Sequence, residues 1–336
     1  MFHKKEKKQP MKKILILVLL LCFAMPHKIY ALSSSPYVKE YIENKFQYEP
    51  FMQDYKVNND YLNFSTAKEF KPEKFIWDEN GIPMVKYGAK TEYNPVTTAQ
   101  GALYYHGKYL TTKSSEDREA FIKLTDALIK MQSKDGSFRY SFSHRIPHLK
   151  TRYPIGWVSG MAQGQALSVF SRAFDVTKDI KYKLAGNASL TFLTTPVSKG
   201  GPMTDLSHIS TKWKDQIWFE EYITAPRNNY TLNGYIYTLL GLYDWGYNPE
   251  MTLYGGEKAK ALFQKGQDSV KKILSKYDIG GYTAYDLSHL TLKQEPHVVG
   301  EYHRIHISQM YVMYRLTGSN YFLDSYNRWK SYVEPV

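Results

Sequence analysis

The chain of 336 residues is long enough for one sizeable core, or for a core with a small appendage. Hydrophobic residues make up 43% and charged residues 23%, at a mean hydropathy of −0.48, which excludes a multi-span membrane protein. The net charge of +12 favours polyanionic partners, although seven Lys and one Glu within residues 1–31 account for half of it.

Those first 31 residues read as a signal peptide. Lys4, Lys5, Lys7, Lys8, Lys12 and Lys13 form a basic start, and an apolar run follows from Ile14 to Ala24. The run is short for a transmembrane helix, and cleavage after Ala31 is expected. An uncleaved N-terminal anchor, and membrane attachment through it, is the alternative. Cys22, the only cysteine, falls inside this segment. The mature chain would then hold no disulfide and no thiolate nucleophile, which fits a secreted or cell-envelope protein.

Residues 32–94 read as an N-terminal arm with a β-hairpin. Phe75 to Tyr87 carries two apolar runs around Asn80-Gly81, a pair suited to a tight turn. From about residue 95 to the end at 336 the pattern is helical, and this part reads as one domain. Phe121, Leu124, Leu128 and Met131 share a helix face, and Asp135-Gly136-Ser137 ends that helix. Trp157, Met161, Leu167, Phe170 and Phe174 form a second such face. Further helices are expected near 179–194, 231–245, 256–276, 302–317 and 319–332.

Two helix pairs look alike. Thr177-Lys178-Asp179 joins one pair and Thr317-Gly318-Ser319 another, each a short polar turn containing Thr. A repeated hairpin of this kind predicts a mainly α fold, an incomplete (α/α) toroid of helical hairpins with a small N-terminal β-hairpin region. An ordinary helical bundle is the plainer alternative. In a toroid the inner helices and their loops surround a cleft.

Composition narrows the ligand. Tyr is the outlier at 30 residues, within an aromatic content of 15%. Tyr and Trp offer a flat apolar face and a polar tip, which suits sugars, although most of the thirty belong in a core. No dense Lys/Arg run follows residue 31, so an acidic glycan fits better than nucleic acid.

Five segments share a family likeness. Gly156-Trp157-Val158-Ser159-Gly160-Met161-Ala162-Gln163-Gly164-Gln165-Ala166 comes first, and Trp218-Phe219-Glu220-Glu221-Tyr222-Ile223-Thr224 second. Leu232-Asn233-Gly234-Tyr235, Tyr285-Asp286-Leu287-Ser288-His289 and Tyr302-His303-Arg304-Ile305-His306-Ile307 follow in order. Together they resemble the C-terminal catalytic region of the D-glucuronyl C5-epimerases. That family inverts C5 of glucuronic acid units in a heparosan-like polysaccharide to give iduronic acid, with no redox cofactor. The resemblance implies Glu221, Tyr302, Tyr285 and Tyr222 as catalytic groups, with Glu221 and Tyr302 the leading pair for opposite faces of the sugar. It leaves room for a homodimer. On a strand, Glu221 and its neighbour Tyr222 would point opposite ways unless the segment bends.

Substrate contacts are expected from Arg304, His303, Arg227 and Arg145 for charge, and from Asn233, Gln163, Trp157 and Trp218 around them. The family pattern has arginine where this chain has Ser288. His303 and His306 share a helix face, but two His and Glu301 fall short of a zinc motif, so no metal is expected. A polysaccharide lyase would share the first chemical step, and a non-catalytic glycan-binding protein would share the cleft. Both stand as alternatives.

Overall fold

The computed structural model describes residues 55–66, 70–224 and 227–333. The expected leader over 1–31 and the first part of the arm lie outside the described residues.

Among the described residues, eight long helices pair into four hairpins. The first pair is α1 (Pro95–Thr112) and α2 (Ser115–Met131), and the second is α3 (Gly160–Thr177) and α4 (Ile180–Leu193). The third is α5 (Leu232–Gly246) and α6 (Gly256–Ile273), and the fourth is α7 (Gly300–Thr317) and α8 (Asn320–Ser331). Within each hairpin the two helices pack together, and the first members also pack in sequence, α1 on α3, α3 on α5 and α5 on α7. These four form an inner arc and their partners an outer layer, which is the incomplete (α/α) toroid. Burial follows the layers: α3 and α5 are buried on nearly every face, while α6 and α8 bury one stripe.

Three hairpins close with one device. Lys113, Lys178 and Gly318 end α1, α3 and α7 in the left-handed conformation, at φ 56°, 60° and 66°. The preceding Thr hydroxyl then accepts from the N–H of Ser114, Asp179 or Ser319 at 3.1 to 3.2 Å. Two of these turns are legible as a sequence repeat, and Thr112-Lys113-Ser114 is the third.

The contact between α3 and α5 depends on two glycines. A Cβ on Gly164 would lie 2.4 Å from the Thr238 Cα, and one on Gly241 would lie 1.9 Å from the Gly164 carbonyl oxygen. The helices therefore cross backbone to backbone.

All four inner helices begin at the same end of the arc. The opposite end is filled by residues 55–66 of the arm. Tyr61, Leu62 and Phe64 are buried, and Leu62 lines one small void with Tyr237 and Leu240 of α5 and Ile305 and Val312 of α7. Arg172 on α3 donates to Asp244 Oδ2 of α5 at 2.6 Å and to the Asn59 carbonyl at 3.0 Å. Tyr55 donates to the same Asp244 oxygen at 2.8 Å. The arm is thus part of the core.

The hairpin differs in detail from expectation. β1 (Ile76–Trp77) and β2 (Pro83–Tyr87) pair antiparallel, but through a five-residue loop rather than a two-residue Asn-Gly turn. The Asp78 carboxylate organises that loop, accepting from the N–H groups of Asn80 at 2.9 Å and Ile82 at 2.7 Å. Only Gly81 within it has a positive φ, 69°. A third strand, β3 (Lys90–Tyr93), completes the sheet. Two further two-stranded ribbons occupy inter-helix loops: β4 (His144–Ile146) with β5 (Thr151–Tyr153), and β6 (Met203–Asp205) with β7 (Ile217–Phe219). Among the described residues no helix is long and apolar enough to cross a membrane.

Candidate active site

The loops at the N-terminal end of the inner helices bring the chemistry together. β7 ends at Phe219, and the chain bends through Glu220, Glu221 and Tyr222. The alternation expected of a strand therefore does not apply, and Glu221 and Tyr222 enter the same cluster. Gly160 fixes the bend by donating its N–H to the Glu220 carbonyl at 2.8 Å. Glu220 turns inward, where its Oε2 accepts from the Tyr230 N–H at 3.2 Å. Both carboxylates are buried, so neither belongs to a solvated pair.

Glu221 lies against the first turn of α5. A Cβ added to Gly234 would come within 2.0 Å of Glu221 Oε2, so only glycine leaves room for the carboxylate there. That oxygen has no hydrogen-bond partner among the described residues. Burial pushes the Glu221 pKa up from 4.5 to about 8, aided by the Asp286 charge and opposed by the Tyr222 hydroxyl and the Gly234 N–H. Burial also raises Glu220, whose carboxyl faces the charges of Asp286 and Glu221. The helix ends at this site differ from their neighbours. Asn94 and Ser159 cap α1 and α3 with side-chain hydrogen bonds, whereas Thr231 and Val299 at α5 and α7 make none. The positive ends of α5 and α7 are thus left facing the carboxylate cluster.

The phenols gather around Glu221. Tyr285 and Tyr302 meet at 4.4 Å between ring centroids, tilted by 51°. Tyr222 lies 6.1 Å from Trp157, and Trp157 stacks on Tyr140 at 3.6 Å. Burial raises the pKa of Tyr222, Tyr285 and Tyr302, and Glu221 raises all three further, so the four groups are electrostatically coupled. Each phenol is held in its protonated, donating form. Tyr222 and Tyr302 remain half-buried, and Tyr285 is closed off.

Other expected contacts fall elsewhere. Gln163 is fully buried: its Oε1 accepts from the Phe138 N–H at 2.9 Å, and its Nε2 donates to Gly136 and Ser189 carbonyls at 3.0 and 3.1 Å. Its amide ties α3 to its neighbours and is spent on that. Trp218 is a core residue, stacked on Tyr235 at 3.6 Å. Trp157 precedes α3 and lines the aromatic cluster rather than a helix face. Asn233 is buried, and its carbonyl accepts from Gln309 at 3.0 Å.

His303 faces the outer helix. Its Nε2 donates to the Trp329 carbonyl at 3.2 Å, so its Nδ1 accepts from the Thr283 hydroxyl at 2.9 Å. That hydroxyl then accepts from His306 Nδ1 at 2.9 Å. Burial pushes His303 down to about 4 and His306 to about 3, so both imidazoles are neutral and unsuited to holding a carboxylate by charge. Arg304 is buried on α7, a step of 200° around the helix from Tyr302. Arg227 is exposed. Arg145 pairs across the ribbon with Arg152, and both are exposed on its outer face, opposite His144 and Tyr153. Among the described residues no group of three or more His, Asp or Glu is arranged to hold a metal ion.

Sequence reasoning missed Asp286 as a site group, along with His148, His297 and Tyr153. Asp286 lies beside Tyr285 in a segment already singled out, so that position was within reach. The other three carry no local pattern.

Comparison with known proteins places the chain in a family. The family described as D-glucuronyl C5-epimerase C-terminus matches residues 132–331. A D-glucuronyl C5-epimerase of Caenorhabditis elegans is 32% identical over 206 residues, covering 59% of this chain and 32% of that protein. The chain thus spans about a third of the length of that relative. An uncharacterized protein of Methanocaldococcus jannaschii is 27% identical over 284 residues, covering 77% of this chain and 85% of its own. Among solved structures, a family 76 glycoside hydrolase from a bovine Bacteroides thetaiotaomicron strain superposes with a TM-score of 0.47 at 13% identity, covering 72% of this chain and 48% of that one. A polysaccharide lyase gives 0.47 at 11%, covering 92% and 78%.

Proposed function

The chain belongs to the D-glucuronyl C5-epimerase C-terminus family, and from that membership we propose that it is a polysaccharide-modifying epimerase that inverts C5 of glucuronate units to give iduronate. The observation that carries the reading is the Glu221 carboxylate, buried with an unpartnered oxygen, at a pKa raised to about 8 and coupled to three protonated phenols.

Inversion requires a proton to leave one face of C5 and another to arrive at the opposite face. Glu221, when ionised, takes the C5 proton. The C–H electron pair moves into the adjacent carboxylate as an enolate-like dianion. A carboxyl whose conjugate acid has a pKa near 8 is a far stronger base than an exposed one, which the weak acidity of C5–H demands. Tyr302, with Tyr285 against it, returns a proton to the opposite face and becomes a phenolate. The site resets when the proton on Glu221 is lost and the phenolate regains one, so hydrogen from the solvent enters C5. Tyr222 supports Glu221. The reading includes export, which rests on the basic and apolar residues 4–24, and an acidic, glucuronate-containing polysaccharide as partner.

NMR of glucuronate polymers incubated with the enzyme in deuterated water tests the proposal. Deuterium at C5 together with iduronate signals is expected, and Tyr302→Phe is expected to slow both by about 10²-fold. Ultraviolet absorbance from an unsaturated uronate, with shortening of the polymer, would replace this reading by that of a lyase. Binding without exchange would leave a glycan-binding protein.

A further inference from the structure

An enolate-like dianion forms only where positive charge or strong donors meet the substrate carboxylate. The arginines expected to do this lie on the outer face of the β4–β5 ribbon, in the exposed loop before Asn228, or buried on α7. Ser288, at the position where the family likeness has arginine, is buried and donates its hydroxyl to Asp286 Oδ1 at 2.5 Å. It is neutral and already engaged.

The other oxygen of that carboxylate holds a residue from far along the chain. His148, in the turn between β4 and β5, places Nε2 at 2.9 Å from Asp286 Oδ2. Asp286 is wholly buried, while the His148 side chain is 17% exposed. The contact therefore joins a closed carboxylate to an imidazole that solvent reaches. Asn229 Nδ2 also donates to Oδ2, at 3.3 Å, and the Ser288 N–H donates to Oδ1 at 3.0 Å. The His148 ring stacks on His297 at 3.8 Å and 7°, and both rings meet Tyr285 edge-on, at 5.8 and 5.6 Å. The Tyr285 N–H donates to the His297 carbonyl at 2.7 Å, which fixes this group as a unit.

An ionised carboxylate only accepts, so His148 Nε2 carries the hydrogen of this bond. Asp286 sets the tautomer and the ring orientation of His148, as a carboxylate does for a catalytic histidine. Nδ1 is not used by Asp286. It belongs to a ring in contact with one of the proton-transfer phenols.

We propose that His148, oriented by Asp286 and braced by His297, is the imidazolium donor that holds the substrate carboxylate in this chain. The assignment rests on the epimerase reading for its chemistry, but it makes a binding claim of its own. The enzyme prefers a uronate polymer over the same polymer with its carboxyls reduced to alcohols, and His148 carries that preference.

The test titrates both polymers, glucuronate-containing and carboxyl-reduced, into the full chain, and measures C5 deuterium exchange in parallel. In His148→Gln the preference is expected to fall by about tenfold or more, the scale of one lost charge-assisted hydrogen bond. KM for exchange rises with it. His148→Arg is expected to restore most of the preference, and Lys150→Gln, in the same turn, to leave it unchanged. Circular dichroism melting verifies that each variant is folded. If folded His148→Gln keeps the wild-type preference and KM, the assignment is overturned while the epimerase reading stands. If wild type exchanges no deuterium, yet its carboxylate preference disappears in His148→Gln and returns in His148→Arg, the assignment stands and the epimerase reading falls. Failure of His148→Arg to restore a lost preference also overturns the assignment, since the side chain would then act by shape alone.

Discussion

At the arm-filled end of the helical arc, Asp244 is buried against the Arg172 guanidinium at 2.6 Å. At the other end, Glu221 is also buried, with an oxygen that finds no partner among the described residues. The first carboxylate has a cation, a phenol and a helix crossing built around it, and it holds α3, α5 and the arm together. The second lies among phenols and other carboxylates, and its proton is held until about pH 8. The same helices thus bury acid at both ends with opposite results. Pairing with a cation gives a structural tie, whereas burial among phenols gives a proton that can be moved.

The comparison is broken most sharply by exchanging the consequences. Glu221→Gln is expected to lower C5 exchange by about 10²- to 10⁴-fold while stability holds or rises, because a desolvated carboxyl is replaced by a neutral amide. Exchange kinetics beside urea denaturation read both quantities. A clear loss of stability would mean that Glu221 supports structure after all.

Arg172→Met should do the reverse. Removing one partner of a buried pair leaves Asp244 uncompensated, at a cost of about 3–5 kcal/mol in urea denaturation. Activity per folded molecule should change little. If exchange falls as far as in Glu221→Gln with the fold intact, the two ends of the arc are coupled and the contrast fails.

Gly234→Ala brings a methyl to 2.0 Å from Glu221 Oε2. Overpacking of this sort costs about 1–3 kcal/mol, and here the side chain that gives way is the proposed base. Exchange is expected to fall by more than the unfolded fraction explains. Unchanged exchange would show that the exact seat of the carboxylate is immaterial.

The most gradual effect is a pH slope. Glu221 ionises at 4.5 when unfolded and at about 8 when folded. Its contribution to stability is complete below pH 4.5 and is lost as pH rises towards 8, because the folded chain retains a proton that the unfolded chain has released. The slope is at most about 1.4 kcal/mol per pH unit. Urea denaturation of wild type and Glu221→Gln at several pH values isolates this group from Glu220, which shifts in the same direction. Parallel stability curves would show that Glu221 ionises normally. Exchange itself should rise with pH over the same range as the base form grows.

Legibility in the sequence followed the range of the interactions. The 3.6-residue apolar period located the long helices, and two of the three Thr-containing turns could be read directly, because both signals lie within a few adjacent residues. The hairpin was read with the right strands but the wrong loop, since Asp78 captured the N–H groups that an Asn-Gly turn would have arranged differently. Motif likeness pointed to Glu221 and the three tyrosines, which the fold gathers into one cluster. It could not separate cleft from core, so Gln163, Trp218 and His303, all inside matched segments, were expected at the substrate and turned out to be packing residues. Residues 55–66 read as part of an extended arm, and their burial against α1, α5 and α7 has no local signal at all.

The sequence by itself determined the helices and the polar turns that fold them back, since each is written in spacing, and short motifs named the acid and phenols proposed for the chemistry. Only the tertiary structure decided which carboxylate is paired and which is stranded. It also decided that His148 meets Asp286 across 138 positions of the chain. A side chain's proton affinity depends on the charges and the solvent within a few ångströms of it, and those neighbours are assembled only when distant segments pack.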